Sequence, residues 1–385
     1  MNTIKGEYNK AVVYAKYLDE GCDEQIRQYL DHPLFADTTV RIMPDAHVGK
    51  GATIGFTATC NEYVVPSLIG VDIGCGVSAY NLGRKNIDFD KLDKYIRKYI
   101  PAGKDVRSDE LDILEKWYPY VMNNSTSLED FREKVSELAS KLMLPLGRVF
   151  ASLGTLGGGN HFIEIDTDED KCHWLLVHTG SRNLGASTAR YHQNIAEDTT
   201  PKNSPIKFLH GIAANGYVDD MIATQLYARV NRALIGCQIS CDFLKVAKED
   251  LSVVESVHNY IDFDHGIVRK GAISAQKGER LVIPFSMADG AILGVGKGNA
   301  EWNYSAPHGS GRKMSRSRAK ELSMDEYRKR MKGVWSSCVG KNTLDESPMA
   351  YKKTNDILDA IVDTLEVTNR MFPVYNFKCD KPFWD

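Results

Sequence analysis

The sequence predicts an α+β fold that forms one large domain over residues 1–385, and three observations support this. Helix-like and strand-like patterns follow one another in mixed order, without the regular alternation of a parallel α/β sheet. No repeat, low-complexity tract or proline- and serine-rich linker divides the chain. Its 385 residues, 43% of them hydrophobic, are enough to bury a substantial core without disulfides.

The clearest helix is predicted at residues 128–142, where apolar side chains recur every three or four positions. Ser127 is a suitable N-cap in front of it, and Pro145 follows its end. Further helices are predicted at about 218–245, 314–332 and 355–370, from apolar periodicity and the absence of breakers. Strands are predicted at 53–59, 77–82, 161–165, 174–177, 280–285 and 291–295.

The bulk composition excludes few functions. A formal net charge of -3 neither supports nor excludes an RNA partner, because a local basic patch is sufficient to bind phosphates. The sequence has no run of 18 apolar residues and no signal-peptide pattern, so we expect a soluble cytoplasmic protein without a membrane segment. The eight cysteines are widely spaced, which is typical of reduced thiols.

Asp72 and Cys75 lie in a glycine-rich turn between two predicted apolar strands, in the segment SLIGVDIGCGVSAYNL. A carboxylate and a thiolate at this spacing can bind a divalent cation, and a thiolate can bridge two cations. Taken alone, the segment is equally typical of a strand-end turn with a buried cysteine.

A second glycine run places Asn160 and His161 at the start of a predicted strand, with Glu164 three residues after the histidine, in SLGTLGGGNHFIEI. Glycines there allow close approach by a phosphate or nucleotide. Most glycine runs are nevertheless loops without a ligand.

His178 ends the hydrophobic strand of WLLVHTGSRNLG, and Ser181, Arg182 and Gly185 follow it. A histidine at a strand end beside a Gly-Ser-Arg turn fits a metal ligand next to an anion-binding turn, with a surface histidine as the alternative. Other polar candidates, each more typical of fold support when taken alone, are His258, Asn259, Arg269, Lys270 and Ser286.

His308 lies in a loop of small residues, in YSAPHGSGRKMSRSRAKEL, that is predicted to open a helix. Helix N-terminal N–H groups and guanidinium groups favour oxyanions, so a histidine there is placed to take up a phosphoryl group. A solvated basic helix face is the alternative. The basic residues of this segment are Arg312, Lys313, Arg316 and Arg318.

These segments together predict one site, because each brings metal-binding side chains to a strand end or a glycine-rich loop. Two adjacent cations that share a thiolate suit phosphoryl transfer, since they can clamp the attacking and leaving oxygens. A structural zinc site would use paired CxxC elements, which the sequence lacks. The candidate ligands are Asp72, Cys75, His161, His178 and His258.

In their order along the chain these motifs resemble those of the RtcB family of RNA-splicing and RNA-repair ligases. The resemblance implies a single RtcB-like domain with mixed β-sheets in the centre and helices outside, in α/β/β/α layers. The matching segments are PDAHVGKG at 44–51, GVDIGCG at 70–76, GTLGGGNHFIE at 154–164, HTGSRNLG at 178–185, HN at 258–259, RKGA at 269–272, GKGN at 296–299 and HGSGRKMSRSRAK at 308–320.

The resemblance also implies a GTP-dependent ligase with two Mn²⁺ ions bridged by Cys75. His308 would attack the α-phosphate of GTP, expel pyrophosphate and form a histidine–GMP intermediate. The ligands implied for one ion are Asp72, Cys75 and His161, and those for the other are Cys75, His178 and His258.

The implied partners are GTP and RNA, bound by a chain expected to be a monomer. GMP would pass to an RNA 3′-phosphate, which a 5′-hydroxyl end then attacks; a 2′,3′-cyclic phosphate would first be opened at the same metals. Arg182 and Arg312 are the implied RNA-phosphate anchors, and Glu164 and Lys378 would contact the guanine edge. The implied nucleotide contacts are Asn160, Glu164, His258, Asn259, Ser286, His308, Gly309, Gly311, Tyr351 and Lys378.

Two segments depart from the family pattern. IPFSMADGAILGVG differs from the commoner IPGSMG, with Ala291 where many relatives offer a serine, and PVYNFKCDKPFWD continues past Lys378, either over the pocket or along the surface. The alternatives to a ligase are a metal-dependent RNA phosphodiesterase or cyclic-phosphate hydrolase, and an RNA-end-binding repair factor without ligation. Stable labelling of His308 by GTP separates the ligase from both.

Overall fold

A computed structural model describes residues 2–108, 110–121 and 126–381 and confirms the α+β class. The end of the C-terminal segment, residues 382–385, lies outside this part. The strands are β1 Asn2–Lys5, β2 Lys10–Val13, β3 Val40–His47, β4 Ile54–Thr59, β5 Gly76–Gly83, β6 Phe162–Asp168, β7 His173–Thr179, β8 Val253–Val257, β9 Asn259–Asp262, β10 Ile267–Lys270, β11 Ala272–Ser274, β12 Arg280–Pro284, β13 Ala291–Gly296, β14 Ser305–Pro307 and β15 Leu365–Phe377. The helices are α1 Cys22–Leu30, α2 Phe89–Tyr99, α3 Glu110–Val121, α4 Leu128–Lys141, α5 Leu146–Ala151, α6 Arg182–Thr199, α7 Gly211–Cys237, α8 Arg316–Ala319, α9 Met324–Arg330 and α10 Thr354–Ala360.

Within the described residues, the strands form two large sheets and one small sheet. A six-stranded sheet has the order β1-β2-β3-β4-β10-β9, and β11 pairs with β14 alone. A seven-stranded sheet has the order β12-β13-β15-β6-β7-β5-β8. Its two edge strands approach each other, because the Val282 N–H of β12 donates to Ser256 Oγ of β8 at 2.9 Å. The seven-stranded sheet is therefore curled nearly into a barrel.

The helices cover the outside of the large sheets, as the resemblance implied. α1 packs on the six-stranded sheet through Ile26 and Tyr29, while α2 and α7 pack on the outer face of the curled sheet through Ile96 and Ile235. A separate apolar cluster fills the interior of the curled sheet; it includes Val77, Phe162, Trp174, Leu176, Val282, Ala291 and Met371. No helix within the described ranges is both long and apolar enough to span a membrane.

The best-supported helix prediction is confirmed. α4 covers Leu128–Lys141, and the Ser127 hydroxyl accepts the Asp130 N–H at 3.0 Å, as an N-cap does. Its apolar stripe, which includes Phe131 and Val135, packs against α3 and α7. All six predicted strands are also present, with ends that differ by a few residues.

The helix predicted at 355–370 is wrong beyond its first part. α10 ends at Ala360, a 3-10 turn follows, and Leu365–Phe377 forms the long strand β15. Ile357, Ile361 and Leu365 all enter one buried cluster, so their four-residue spacing imitates a helix across the transition. Thr364 separates the turn from the strand, and its hydroxyl donates to Ser305 O at 2.7 Å.

Two other helix predictions are correct only in part. The segment predicted at 314–332 contains two short helices, because Ser323 caps the start of α9 by accepting the Glu326 N–H. The segment predicted at 218–245 begins earlier, at Gly211, and ends in the π-helical turn Gln238–Phe243.

Candidate metal and nucleotide site

The structure brings all five predicted metal ligands together. Cys75 Sγ lies 3.3 Å from His178 Nε2 and 3.6 Å from His161 Nε2. Asp72 Oδ2 lies 3.1 Å from His161 Nε2, and the Nε2 atoms of His178 and His258 are 3.3 Å apart. The five side chains come from β7, the starts of β5 and β6, and the loop between β8 and β9.

These ligands form two groups that share one sulfur. Each group offers one ligand atom per residue, and the atoms within a group lie within 4.8 Å of one another. One group is Asp72, Cys75 and His161, and the other is Cys75, His178 and His258. Imidazole, thiolate and carboxylate at these separations fit two divalent cations bridged by the thiolate.

The histidine tautomer is fixed at one position by the backbone. His161 Nδ1 lies 3.0 Å from Leu156 O, so Nδ1 carries the proton and Nε2 presents its lone pair towards Cys75. Burial lowers the pKa of His178 well below its usual range and that of His258 to about 3. Both rings are therefore neutral and able to act as ligands.

The Asp72 turn depends on a glycine opposite it. An added Cβ at Gly180 would lie 2.1 Å from Asp72 Oδ1, which accepts the Ser181 N–H at 3.1 Å. Burial raises the pKa of Asp72, but the hydrogen bond and charge of His161 outweigh it and hold that pKa well below its usual range. The predicted strand before this turn is wrong, because Pro66–Leu68 forms a 3-10 helix there.

Burial, and then the charge of Asp72, raises the pKa of the Cys75 thiol well above its usual range. This applies to the protein without a cation, since a bound divalent cation favours the thiolate. Metal binding at Cys75 is therefore expected to release a proton.

His308 stands beside the ligand cluster, at the end of β14. Its ring centroid lies 4.8 Å from that of His258. Its Nδ1 lies 2.6 Å from Asp45 Oδ2, and its backbone N–H donates to the same oxygen at 3.2 Å. Asp45 is fully buried in β3 and so holds the imidazole from behind, which leaves Nε2 as the nitrogen free to react.

The helix predicted to open at His308 begins later. α8 starts at Arg316, after the N-cap Ser315, and has only four residues. The loop from 308 to 315 therefore gives His308 no helix N-terminus. Asp45 is a functional candidate that the sequence reasoning missed, although PDAHVGKG contains it; nothing in that motif alone indicated which distant side chain it contacts.

The two predicted RNA-phosphate anchors contact protein groups. Arg182 donates to Gly103 O at 2.7 Å and to Thr155 Oγ1 at 3.1 Å, and it does not line the large cavity beside the metal cluster. Arg312 lines that cavity but donates to Glu346 at 3.1 Å. Both guanidinium groups are therefore already hydrogen-bonded.

Glu346 is a second residue that the sequence reasoning missed. Its buried carboxylate lies 3.2 Å from Lys378 Nζ, 2.6 Å from Arg316 and 3.1 Å from Arg312. Burial raises its pKa, but these three cations outweigh burial and lower the pKa to about 2. Glu346 therefore positions basic groups on one wall of the cavity.

A cavity of about 1450 Å³ adjoins the metal cluster and His308. All ten residues predicted to contact the nucleotide line it: Asn160, Glu164, His258, Asn259, Ser286, His308, Gly309, Gly311, Tyr351 and Lys378. Asn259 also supports the backbone of the site, since its side chain donates to Asp72 O and accepts the Gly271 N–H. Ala291 does not line the cavity and packs inside the curled sheet.

Lys270 also lines this cavity. It is almost fully buried, and its Nζ donates to Lys50 O at 3.0 Å and to Ser67 O at 2.5 Å. Burial lowers its pKa to about 8, so it remains mostly charged at neutral pH. It therefore supplies a cation to the lining of the cavity.

Comparisons with known proteins agree with these motifs. Residues 25–379 match the model of the family described as tRNA-splicing ligase RtcB. The RNA-splicing ligase RtcB of Escherichia coli strain K12 is 30% identical over 358 residues, which cover 85% of this chain and 87% of that protein. The tRNA-splicing ligase RtcB of Nanoarchaeum equitans is 27% identical over 399 aligned positions, covering 82% and 83% of the two chains.

Proposed function

The chain belongs to the RtcB family of RNA ligases, and from this premise we propose that it joins RNA ends through a GMP carried on His308. The RNA ends are a 3′-phosphate or 2′,3′-cyclic phosphate on one strand and a 5′-hydroxyl on the other. GTP is the proposed source of GMP.

The observation that carries this proposal is the position of His308 between a buried carboxylate and the metal-ligand cluster. Asp45 lies 2.6 Å from Nδ1 on one side, and the His258 ring lies 4.8 Å away on the other. A histidine whose Nδ1 proton is held by a carboxylate presents Nε2 as a nucleophile. The same arrangement stabilises the positive charge that develops on the ring when Nε2 forms a bond.

In the first step, Nε2 of His308 attacks the α-phosphorus of GTP. A phosphorus–nitrogen bond forms, the bond to the bridging oxygen breaks, and pyrophosphate leaves. The Asp45 carboxylate, which lies 2.6 Å from Nδ1, keeps the ring oriented. Lys270, which lines the cavity, can balance phosphate charge.

The two ligand groups would hold Mn²⁺ ions. When bound, such ions neutralise the phosphate oxygens and orient them for in-line displacement. The chain's contribution is to fix the ligands: Leu156 O orients the His161 ring, and the Ser181 N–H orients the Asp72 carboxylate.

In the next steps GMP passes from His308 to the RNA 3′-phosphate, and the 5′-hydroxyl of the second strand attacks the activated phosphate. The phosphorus–nitrogen bond breaks in the first of these steps, and GMP leaves in the second. A 2′,3′-cyclic end first takes up water and becomes a 3′-phosphate. His308 returns to its starting form.

The nucleotide's base is assigned to the part of the cavity near Glu164 and Lys378, which β6 and the end of β15 provide. A carboxylate can accept both N–H donors of a guanine edge. Tyr351 lines the same region, and its hydroxyl donates to Glu346 at 2.6 Å.

The test is to incubate the protein with Mn²⁺ and GTP labelled at the α-phosphate and to separate the products under denaturing conditions. Wild type should carry acid-labile label, and His308→Ala should carry none while keeping its metal content. His265→Ala is a matched control, because His265 is half-exposed and does not line the cavity. Labelled His308→Ala protein would refute the proposed nucleophile.

A second arm gives the protein RNA with a 2′,3′-cyclic phosphate and a 5′-hydroxyl end. Joined RNA that depends on GTP and His308 supports the ligase. Opening of the cyclic phosphate without joining or protein labelling would instead support the metal-dependent phosphodiesterase.

A further inference from the structure

We propose that Asp166 is a positioning residue for base recognition, which holds one proton against Glu164 and so keeps Glu164 ionised and directed at a guanine edge. This inference rests on the proposed use of GTP. It concerns a carboxyl group that does not line the cavity itself.

Asp166 lies behind Glu164 on the same strand. Side chains alternate along β6, so Ile163 and Ile165 point outwards to the helices, whereas Glu164 and Asp166 point into the curled sheet. Glu164 is 2% exposed and lines the cavity, while Asp166 is fully buried and lies one step deeper.

The hydrogen-bond partners of the two carboxyl groups differ. Glu164 accepts a hydrogen bond from Asn376 Nδ2 on β15. Neither oxygen of Asp166 has a hydrogen-bond partner among the described residues. Glu164 and Asp166 stand two positions apart on the same face of β6, so their carboxyl groups are neighbours that can share one proton.

The surroundings of Asp166 give it no other compensation. Trp174 lies directly across from it on β7, and Pro373 lies across from it on β15. Ala291 and Met371 belong to the apolar cluster that fills this interior. Two carboxylates placed together in such an interior cannot both remain charged at low cost.

The charged groups near the pair favour ionisation of Glu164. Lys378 is the cation that lowers the pKa of Glu164, and it is itself paired with Glu346. Farther along the strand, Asp168 is satisfied by the Trp174 indole N–H at 2.9 Å. Asp166 has no such donor or cation, so the shared proton belongs on Asp166 and its O–H donates to Glu164.

Burial raises the pKa of both carboxyl groups above their usual ranges. The pair therefore keeps one proton near neutral pH and takes up a second one in more acidic solution. With one proton on Asp166, Glu164 offers two acceptors to the N1–H and N2–H donors of guanine. With two protons on the pair, Glu164 is neutral and carries an O–H, so it no longer offers two acceptors to the guanine donors.

This predicts a proton-linked affinity for GTP. In acidic solution the affinity of the wild type should fall, approaching about tenfold per pH unit because one proton must leave on binding. In Asp166→Asn the amide donates to Glu164 without a titratable proton, and the neighbouring negative charge is gone. The fall of GTP affinity on the acid side of the pH profile (the acid limb) should therefore begin at a pH lower by about one unit or more.

The experiment is calorimetric titration with GTP and Mn²⁺ between pH 5.5 and 8.5 (roughly the range in which the pair titrates), in a His308→Ala background that prevents turnover. Asp168→Asn is the matched control: the same substitution on the same strand and face, at a carboxylate whose partners do not involve Glu164. The metal ligands and the GTP phosphates titrate alike in all the proteins, so differences between the profiles report the carboxyl pair.

An acid limb that moves in Asp166→Asn but not in Asp168→Asn supports the inference. Identical profiles in all three proteins would overturn it, while GTP binding itself would leave the proposed function standing. Absence of GTP binding at every pH would overturn the proposed function and this inference with it. If Asp166→Asn does not fold, infrared spectroscopy decides: a buried protonated-carboxyl C=O band at neutral pH that persists in Glu164→Gln supports a proton on Asp166, and its absence from the wild type would overturn the inference.

Discussion

Replacing Gly180 by alanine is expected to remove one metal position while the fold stays intact. Gly180 follows β7, and an added Cβ there would lie 2.1 Å from Asp72 Oδ1 and 2.5 Å from Asp72 Cγ. The atoms it meets are the end of a side chain, which can swing away at a small cost in folding free energy. The carboxylate that swings away is the oxygen ligand of one group.

The size of the displacement sets the size of the effect. Non-bonded atoms normally stay about 3.5 Å apart, so the carboxylate has to retreat by more than about 1 Å. Metal–ligand distances tolerate only about 0.2 Å. We therefore expect the Asp72 group to bind its cation about tenfold to a hundredfold more weakly, whereas the group of Cys75, His178 and His258 keeps its geometry.

The assay is metal content per chain after dialysis against a fixed Mn²⁺ concentration, together with the rate of His308 labelling by GTP. Gly216→Ala is the matched control, because an added Cβ in that helical position meets nothing within 4 Å. The control should keep both ions and be slightly more stable, since alanine favours a helix over glycine by about 1 kcal/mol.

The reasoning would be refuted if Gly180→Ala bound two ions with wild-type affinity and became labelled at the wild-type rate. Loss of both ions with a normal thermal melting curve would also refute it, because the second group does not contact the new methyl group. A loss of metal that merely accompanies unfolding is recognised by comparing circular dichroism spectra.

Three further predictions follow from the site. Asp45→Asn should slow labelling of His308 by about a hundredfold or more while metal content stays the same, because the amide no longer holds the Nδ1 proton as an anion; single-turnover labelling measures this. Cys75→Ala should lose both ions, since its sulfur is shared, whereas Cys22→Ala, at another fully buried cysteine, should lose neither; metal analysis of the two variants checks this. Glu346, whose pKa is lowered to about 2 from 4.5, contributes stability that is fully present above about pH 4.5 and is lost as the pH falls towards 2. Glu346→Gln should therefore flatten the acid side of the plot of melting temperature against pH and cost about 3 kcal/mol at neutral pH.

Each of these has an outcome that would count against it. An unchanged labelling rate in Asp45→Asn would show that the carboxylate does not orient the nucleophile. Retention of both ions by Cys75→Ala would exclude a shared thiolate. If the melting temperature falls as steeply with decreasing pH in Glu346→Gln as in the wild type, other carboxylates are responsible for acid unfolding.

Local patterns in the sequence were enough for parts of the fold. The helix at 128–142 could be predicted because its N-cap and its apolar spacing lie within a few residues of each other. The candidate metal ligands could be recognised because each stands at a strand end or glycine-rich turn whose own sequence marks it. Their assembly into two groups then followed from the order of the family motifs, and the structure places them within bonding reach of shared cations.

Other features depend on contacts between segments far apart in the chain. Leu365 continues the apolar spacing of the preceding helix, yet it begins a strand, because pairing of β15 with β6 and β13 outweighs the local helical pattern. Asp45 and His308 are 263 positions apart, and no local pattern connects them.

The sequence by itself indicated the family, the candidate metal-binding residues and the histidine that we propose as the nucleophile, because these are carried by short motifs with their own chemistry. The tertiary structure alone decided which carboxylate holds His308, that Arg182 and Arg312 already have protein partners, and that Asp166 lies unpartnered behind Glu164. The physical reason is that charge pairing and desolvation are set by distance and burial, which arise only when the sheets curl and pack.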